Sequence, residues 1–360
     1  MANLLIKRLA IAGVILAFFV VGVGAYTRLA DAGLGCPDWP GCYGFLTVPE
    51  SVTDVSTAEQ RYPDAPVEVV KAWWEMGHRY IAGALLALVF VTFLVAWRFR
   101  SEQTPTTLLS ALLVIIICQA AFGAWTVTLK LWPQVVTAHL LGGFTTLSLL
   151  WLLLLRQGAL AGFHRGLPAP GKLAAVALIA VVVQITLGGW VSSNYAALAC
   201  PMFPSCDGSY APTINLAEGF NVFQSAGPNY LGGLMDNEAR KAIHWVHRVS
   251  AIIVALIVAT LALRLLAFNR ALAVTMLVVL ATQIGLGITN VVWALPLINA
   301  TLHNIFGALL LITVVTVNFA PRLRFVTPES RTTVHRRDAG AVRDSNWLGH
   351  NDGGLVAPAE

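Results

Sequence analysis

Two short motifs in this sequence place a histidine beside an arginine at the start of a long apolar segment. They are Glu75-Met76-Gly77-His78-Arg79 and His244-Trp245-Val246-His247-Arg248. Two more histidines, His139 and His303, lie near the starts of later apolar segments. A neutral imidazole nitrogen binds metal ions, and a protonated imidazole can act as a general acid. Because ionisable residues inside membrane-spanning segments are functional candidates by default, these histidines are the first residues to explain.

The four histidines are predicted to lie at a similar depth in their helices. His78, His139 and His303 are about five to seven residues into their segments, or about 8–12 Å at ~1.5 Å per residue, and His247 is about nine residues in. Two facing neutral imidazoles can supply both axial ligands of a haem iron, and helical bundles hold cofactors between facing helices. The pattern predicts two haem iron sites, His78 with His139 and His247 with His303. Hydrogen bonds between helices and a copper or zinc site are the alternative interpretations.

Glu75 is a feature of the first motif that the second motif does not repeat. It lies three residues before His78, so the two share a helix face, and the corresponding residue before His247 is His244. A carboxyl group at membrane depth is costly unless it is paired or used. Glu75 is therefore the candidate catalytic residue, as a proton acceptor or as a charge that stabilises a cation on a bound substrate. An ion pair with Arg79 is the alternative.

Three arginines near predicted helix ends, Arg28, Arg79 and Arg248, are candidates for binding carboxylates. A haem carries two propionate groups, and a guanidinium binds a carboxylate through two parallel hydrogen bonds. The three arginines are therefore predicted to pair with propionates. For Arg28, snorkelling to the membrane interface is the alternative.

The elements that must position these residues are long apolar helices. Of the 360 residues, 57% are hydrophobic and 11% are charged, whereas soluble domains carry roughly 25% charged residues. Because backbone polar groups in lipid must be satisfied within the segment, we expect an all-α integral membrane protein, surrounded by lipid and without a nucleic-acid partner. Eight segments of about 20 apolar residues are predicted to span the membrane. They cover about 8–29, 73–97, 107–129, 133–155, 172–192, 239–267, 270–292 and 296–318.

Basic residues lie at alternate ends of these segments. The first long loop (about 30–72) and the second long loop (about 193–238) are at the other ends, and they hold several acids and few bases. The positive-inside rule predicts that both termini are cytoplasmic and that both long loops are outside. The basic ends are marked by Lys7, Arg8, Arg98, Arg100, Arg156, Arg165, Lys172, Arg264, Arg270, Arg322 and Arg324.

The two halves of the chain repeat one another. Several landmarks recur after 164 positions, and His78 corresponds to His247 after 169 positions. A constant offset indicates duplication, so we expect two tandem, pseudo-symmetric four-helix bundles. The predicted domains are the first bundle at 1–155, a cytoplasmic linker at 156–171, the second bundle at 172–320, and a disordered cytoplasmic tail at 321–360. The landmarks pair Cys36 with Cys200, Cys42 with Cys206, Gln119 with Gln283, Gly123 with Gly287, and His139 with His303.

Four of the five cysteines lie in the long loops, two in each, at a spacing of six residues. On the oxidising side of a membrane, such pairs predict two disulfides, Cys36–Cys42 and Cys200–Cys206. Metal binding, or a thiol redox role for the first pair, is the alternative. Cys118 lies alone inside a span and is predicted to pack as an apolar residue.

Together these residues resemble the heme A synthase family, also called COX15-CtaA, of respiratory-chain assembly proteins. The resemblance covers about residues 5–320, and the cysteine pairs in both long loops are like those of bacterial forms. It is carried by Thr27-Arg28-Leu29, Gly33 to Pro40, Glu75 to Arg79, His139, His247-Arg248 and His303.

The resemblance implies an oxidoreductase that converts the C8 methyl of heme O into a formyl group by successive hydroxylations, giving heme A for terminal oxidases. It implies that His78 and His139 hold the substrate haem, that His247 and His303 hold a haem b cofactor, and that Glu75 is catalytic. It further implies a bacterial inner membrane location. Heme O synthase, a second copy of the chain and an electron acceptor that the sequence does not identify are the expected partners.

The sequence departs from the family pattern in the second half. Met202-Phe203 stand where the first long loop has Asp38-Trp39, so the second loop is expected only to brace its bundle. His244 is a rival iron ligand one helical turn from His247. His247 is preferred because Arg248 follows it as an arginine follows the first-half ligand.

Two other functions compete with an enzyme, namely a non-catalytic di-haem electron carrier and a haem-delivery protein. Both would use the same histidine pairs. A pure electron relay needs no carboxylate beside one haem alone, so the presence of Glu75 in one half favours the enzyme.

Overall fold

The eight predicted membrane spans are confirmed as long apolar helices. The computed structural model describes residues 2–100, 104–164 and 166–323, and eight of its helices are long and apolar enough to cross a membrane. The described residues form no β-strand. The protein is therefore an all-α, multi-pass membrane protein. From residue 324 onward the predicted tail, with His335 and His350, lies outside the described residues.

The described residues form eleven α-helices, of which α2, α6 and α8 are short and lie in connecting segments. A single turn of 3-10 helix, Ala320–Arg322, follows the last of them. The helices are α1 (Ala2–Leu29), α2 (Val52–Arg61), α3 (Val69–Arg98), α4 (Thr106–Thr128), α5 (Pro133–Arg156), α6 (Ala161–His164), α7 (Lys172–Ser193), α8 (Leu216–Gly219), α9 (Asn237–Leu265), α10 (Arg270–Val292) and α11 (Leu297–Phe319).

Prolines define the starts of the two helices that carry His139 and His303. Pro133 is the first residue of α5, and Pro296 immediately precedes α11. Proline suits the first turn because its fixed φ is helical and its missing N–H has no partner there in any case. The histidine is the seventh residue of each helix, so the two imidazoles lie at equal depth.

The helices of each half contact one another in a closed ring. In the first half, α1 contacts α3, α3 contacts α4, α4 contacts α5, and α5 returns to α1. In the second half, α7, α9, α10 and α11 repeat this order. These are the contacts that a pair of four-helix bundles requires, and they enclose the side chains that point inward from each ring.

The two rings meet along α5 and α11, which are the most buried of the eight spans. Trp151 on α5 donates its indole N–H to Thr316 Oγ1 on α11 at 2.8 Å, and Asn318 donates to the carbonyl of Ala174 at 2.9 Å. Polar side chains buried in apolar surroundings need such partners. Helices α5 and α11 are therefore held in place at the centre of the protein. Each of them carries one of the candidate iron ligands.

The second long loop reaches across to the first half. Trp132 and Gln134, at the start of α5, donate to the carbonyl of Gln224 at 2.9 and 3.2 Å. The N–H of Tyr230 donates to the carbonyl of Lys130 at 3.0 Å. The turn that leads to His139 is thus held by a segment from the other half.

Candidate functional site

The structure brings the four candidate histidines together in the predicted pairs. His78 lies within electrostatic range of His139, and His247 lies within electrostatic range of His303. All four side chains are half-buried. Each pair therefore joins two helices of the same ring, α3 with α5 and α9 with α11.

Three of these imidazoles keep a buried ring nitrogen without a hydrogen-bond partner. Nδ1 is unpaired in His78, His139 and His303. A buried polar atom without a partner costs about 1–3 kcal/mol. Hydrogen bonds between helices therefore leave the Nδ1 atoms of these rings unsatisfied, and an additional partner would satisfy them.

Two glutamines contact the second-half histidines. Gln184 Nε2 lies 3.2 Å from Nδ1 of His247 and also donates to that residue's carbonyl at 3.0 Å. Gln283 Nε2 lies 3.3 Å from Nε2 of His303. The position that corresponds to Gln184 in the first half is Val20. The polar contact to His247 is thus specific to the second half, and the sequence analysis did not identify it.

The donor set fits a haem iron better than a zinc or copper centre. Paired neutral imidazoles with no other ligand suit two axial haem positions. Structural zinc sites use four ligands and catalytic ones three, but in the described part of the chain no three His, Cys, Asp or Glu side chains form such a group. If haem is bound, His78 with His139 and His247 with His303 would hold it.

Glu75 is buried and lies between the first histidine pair and the first long loop. Its side chain is 6% exposed and forms an ion pair with Arg79. Its Oε2 accepts the backbone N–H of Cys36 at 2.9 Å. Removing one partner of a buried ion pair costs about 3–5 kcal/mol. Glu75 therefore fixes the disulfide loop onto α3 one turn from His78, in addition to any chemical role.

His244 occupies the same structural position in the second half. Its Nδ1 accepts the N–H of Cys200 at 3.3 Å, and its Nε2, which carries the ring proton in that tautomer, lies 3.2 Å from Nε of Arg248. Both ring nitrogens of His244 thus have a close neighbour. This favours His247, which lies beside His303, as the iron ligand of α9.

Arg79 and Arg248 bind backbone carbonyls of the two disulfide loops. Arg79 donates to Asp38 at 3.0 Å and also to Gly41. Arg248 donates to Met202 at 2.8 Å and to Ser205 at 3.0 Å. In this structure both guanidinium groups therefore clamp a loop, and their pairing with propionates stays a prediction.

Arg28 joins the two halves. It donates to the carbonyl of Ser192 at 2.6 Å, lies over the Tyr195 ring at 4.1 Å and approaches Asp31 at 3.7 Å. Its Nε is buried without a partner. The Nε–H of Arg28 can therefore donate to one further acceptor. The predicted acceptor is a haem propionate, and this contact stays a prediction.

The cysteine pairs lie at bonding distance in both loops. The S–S distances are 2.03 Å for Cys36–Cys42 and 1.98 Å for Cys200–Cys206. Beside the first pair, burial raises the pKa of Tyr43 to about 12, so its hydroxyl stays protonated and donates to the Pro66 carbonyl. Cys118, predicted to pack as an apolar residue inside a span, is exposed on the surface of α4, so that it faces away from the helices packed against α4.

An apolar groove of about 390 Å³ opens between α1, α3 and α11. Trp74, directly before Glu75, and Ile305, two residues after His303, line it. Its remaining walls are mostly aromatic and aliphatic side chains of α1. None of its lining residues carries a charged side chain.

Comparison with known proteins places both halves of the chain in one family. A family model described as cytochrome oxidase assembly protein, COX15-CtaA, matches residues 7–315. The chain is 44% identical over 304 residues to a heme A synthase of Shewanella oneidensis, with 83% of this chain and 92% of the relative covered. It is 31% identical over 317 residues to a heme A synthase of Methylobacterium radiotolerans, with 79% and 81% covered. The range that the family model matches takes in Glu75 and all four candidate ligands.

Proposed function

Because the chain belongs to the COX15-CtaA family of cytochrome oxidase assembly proteins, we propose that it makes heme A by oxidising the C8 methyl group of heme O. Its curated relatives are heme A synthases, which supports an enzymatic function. The oxidation of a methyl group would make it an oxidoreductase.

In this proposal the two histidine pairs bind different haems. His78 and His139 bind the iron of the substrate, heme O, in the first bundle, 1–155. His247 and His303 hold a haem b in the second bundle, 172–320, where it supplies one-electron transfer chemistry. The pairing of the imidazoles within each ring supports two separate haem sites, and the family resemblance assigns the substrate to the first and the cofactor to the second.

Glu75 carries the proposal because it is a buried carboxylate one helical turn from the first pair. The second half has His244 at the corresponding position. A carboxylate in a low-dielectric site stabilises positive charge that develops during a reaction, and it can accept a proton. The half that contains Glu75 is therefore the half in which chemistry occurs.

The overall change requires an electron acceptor. Two waters add oxygen to the methyl carbon in two hydroxylations, and each hydroxylation releases two electrons and two protons. The geminal diol that results then loses one water to give the formyl group. Glu75 would stabilise a carbocation-like methylene on the substrate until water captures it. The electrons leave to an acceptor outside the chain.

The proposal also covers the location of the protein, its orientation in the membrane and its source of substrate. The basic helix ends, the connector 156–171 and both termini face the cytoplasm of a bacterium, and the disulfide loops face outward from its inner membrane. Heme O reaches the first bundle from a heme O synthase or from the lipid. Arg28, Arg79 and Arg248 are candidate partners of the propionates.

The proposal predicts heme A in a host that makes heme O but has no heme A synthase of its own. The chain is expressed in this host, and haems extracted from its membranes are separated by reversed-phase chromatography. We expect heme O to fall and heme A to appear, relative to the host with empty vector. Unchanged heme O, with the chain present in the membrane at full length, would refute the proposal.

A further inference from the structure

Each of the four candidate iron ligands contacts a glycine on the neighbouring helix. The glycines lie on α1, α4, α7 and α10, and the histidines lie on α3, α5, α9 and α11. Each glycine therefore belongs to the helix that packs beside its histidine. The pairs are Gly24 with His78, Gly123 with His139, Gly188 with His247, and Gly287 with His303.

A side chain at Gly24, Gly287 or Gly188 would force the imidazole to move, and one at Gly123 would come into van der Waals contact with it. A Cβ built on Gly24 would lie 2.7 Å from Cε1 of the facing ring. The corresponding distance is 3.1 Å for Gly287, 3.3 Å for Gly188 and 3.4 Å for Gly123. Favourable carbon contacts begin at about 3.5 Å. The expected disturbance therefore decreases in the order Gly24, Gly287, Gly188, Gly123.

This contact is not a general property of glycines in these helices. A Cβ on Gly77, Gly143 or Gly285 would meet no heavy atom within 4 Å. The contacting glycines also obey the internal repeat, because Gly24 and Gly188, like Gly123 and Gly287, are 164 positions apart. The same arrangement thus recurs at each candidate ligand, and nearby glycines lack it.

We propose that these four glycines are positioning residues, each of which fixes the position and ring orientation of one iron ligand. With no Cβ between them, the imidazole lies directly against the backbone of the neighbouring helix. Residues around a metal ligand set its orientation, and their replacement typically weakens metal binding. The inference rests on the proposed function, since it takes the histidines to be haem ligands.

The second half provides the cleanest test, because Gly285 and Gly287 lie two residues apart on α10. Gly287→Ala and Gly285→Ala raise helix propensity equally, but only the Gly287 variant places a methyl group against His303. The proteins are purified with the haem b that they retain, and haem per chain and the low-spin electron paramagnetic resonance spectrum are measured. We expect Gly287→Ala to retain about tenfold less haem, or to shift its low-spin signal, while Gly285→Ala matches the wild type.

Gly188→Ala is expected to show a smaller change of the same kind, since its contact is looser. In the first half, Gly24→Ala is compared with Gly77→Ala for retention of heme O in a host that supplies it, and the Gly24 variant should lose most of it. If Gly24→Ala does not accumulate in the membrane, the two second-half variants decide the test.

The outcomes separate this inference from the proposed function. If the wild-type protein holds no haem on His247 and His303, both the proposed haem b site and the positioning role of the glycines are refuted. Wild-type protein with haem, together with a Gly287→Ala variant that has the same haem content and spectrum as Gly285→Ala, would overturn the positioning role alone.

Discussion

Replacing Glu75 with glutamine is expected to leave substrate haem bound and to stop its oxidation. The amide oxygen of glutamine can still accept the N–H of Cys36, so the loop contact survives while the negative charge is lost. Removing a group that stabilises transition-state charge typically lowers the rate by a factor of about 10² to 10³. Heme O bound to the purified Glu75→Gln variant, and heme A formed in its membranes, measure the two effects separately.

Glu75→Ala and His244→Gln are the matched controls for this result. The alanine variant loses the charge and also the loop contact, and it leaves Arg79 without its buried partner. His244→Gln keeps an acceptor for Cys200 in the second half and should make heme A at the wild-type rate. Heme A formation by Glu75→Gln at that rate would show that Glu75 acts solely as a clamp on the disulfide loop.

Replacing either histidine of a pair is expected to empty the haem site of that pair and to leave the other haem site occupied. His247→Ala or His303→Ala should abolish retention of haem b, because one imidazole cannot supply both axial positions. His78→Ala or His139→Ala should abolish retention of heme O and leave haem b in place. Extracted haems are quantified per chain, and low-spin spectra report whether the remaining iron keeps two imidazole ligands.

His244 provides the internal control for the ligand assignment. It is one helical turn from His247, but its Nδ1 already accepts the N–H of Cys200, and its Nε2 is covered by Arg248 at 3.2 Å. His244→Gln should therefore retain haem b. Loss of haem b from this variant, with retention in His247→Ala, would reverse the assignment.

The spans can be predicted because each contains an apolar stretch long enough to cross a membrane. The start of α1 was placed at residue 8, but the helix begins at Ala2. Lys7 and Arg8 end the apolar run, yet both residue types favour helix, so the helix continues past the membrane-embedded part. Composition locates the lipid boundary, and helix ends depend on additional local signals.

The sequence contains a start signal for helix α2, but the prediction of eight spans does not include this helix. Ser51 precedes Val52-Thr53-Asp54, which is the spacing of a capping motif, and Ser51 Oγ accepts the N–H of Asp54 at 3.1 Å. The capping signal marks the start of a helix there.

The ion pair of Glu75 with Arg79, four residues on, could be predicted from the sequence and is present. The contact of Glu75 with Cys36 could not, because it depends on how a loop folds back over a helix end. Cys36 and Glu75 are 39 positions apart, and helix periodicity says nothing about such a pair. The repeat does match Glu75 with His244. The structure adds that both accept the N–H of a loop cysteine, so the two halves share the contact and differ in charge.

The central claim is that the chain holds two different haems, a substrate in the first half and a cofactor in the second. The most direct test is reversed-phase separation and quantification of haems extracted from the purified protein, expressed together with a heme O supply. We predict about one haem b per chain, accompanied by heme O and heme A at the other site. Two equivalents of haem b per chain, with no heme A despite available heme O, would contradict the claim and indicate a di-haem electron carrier.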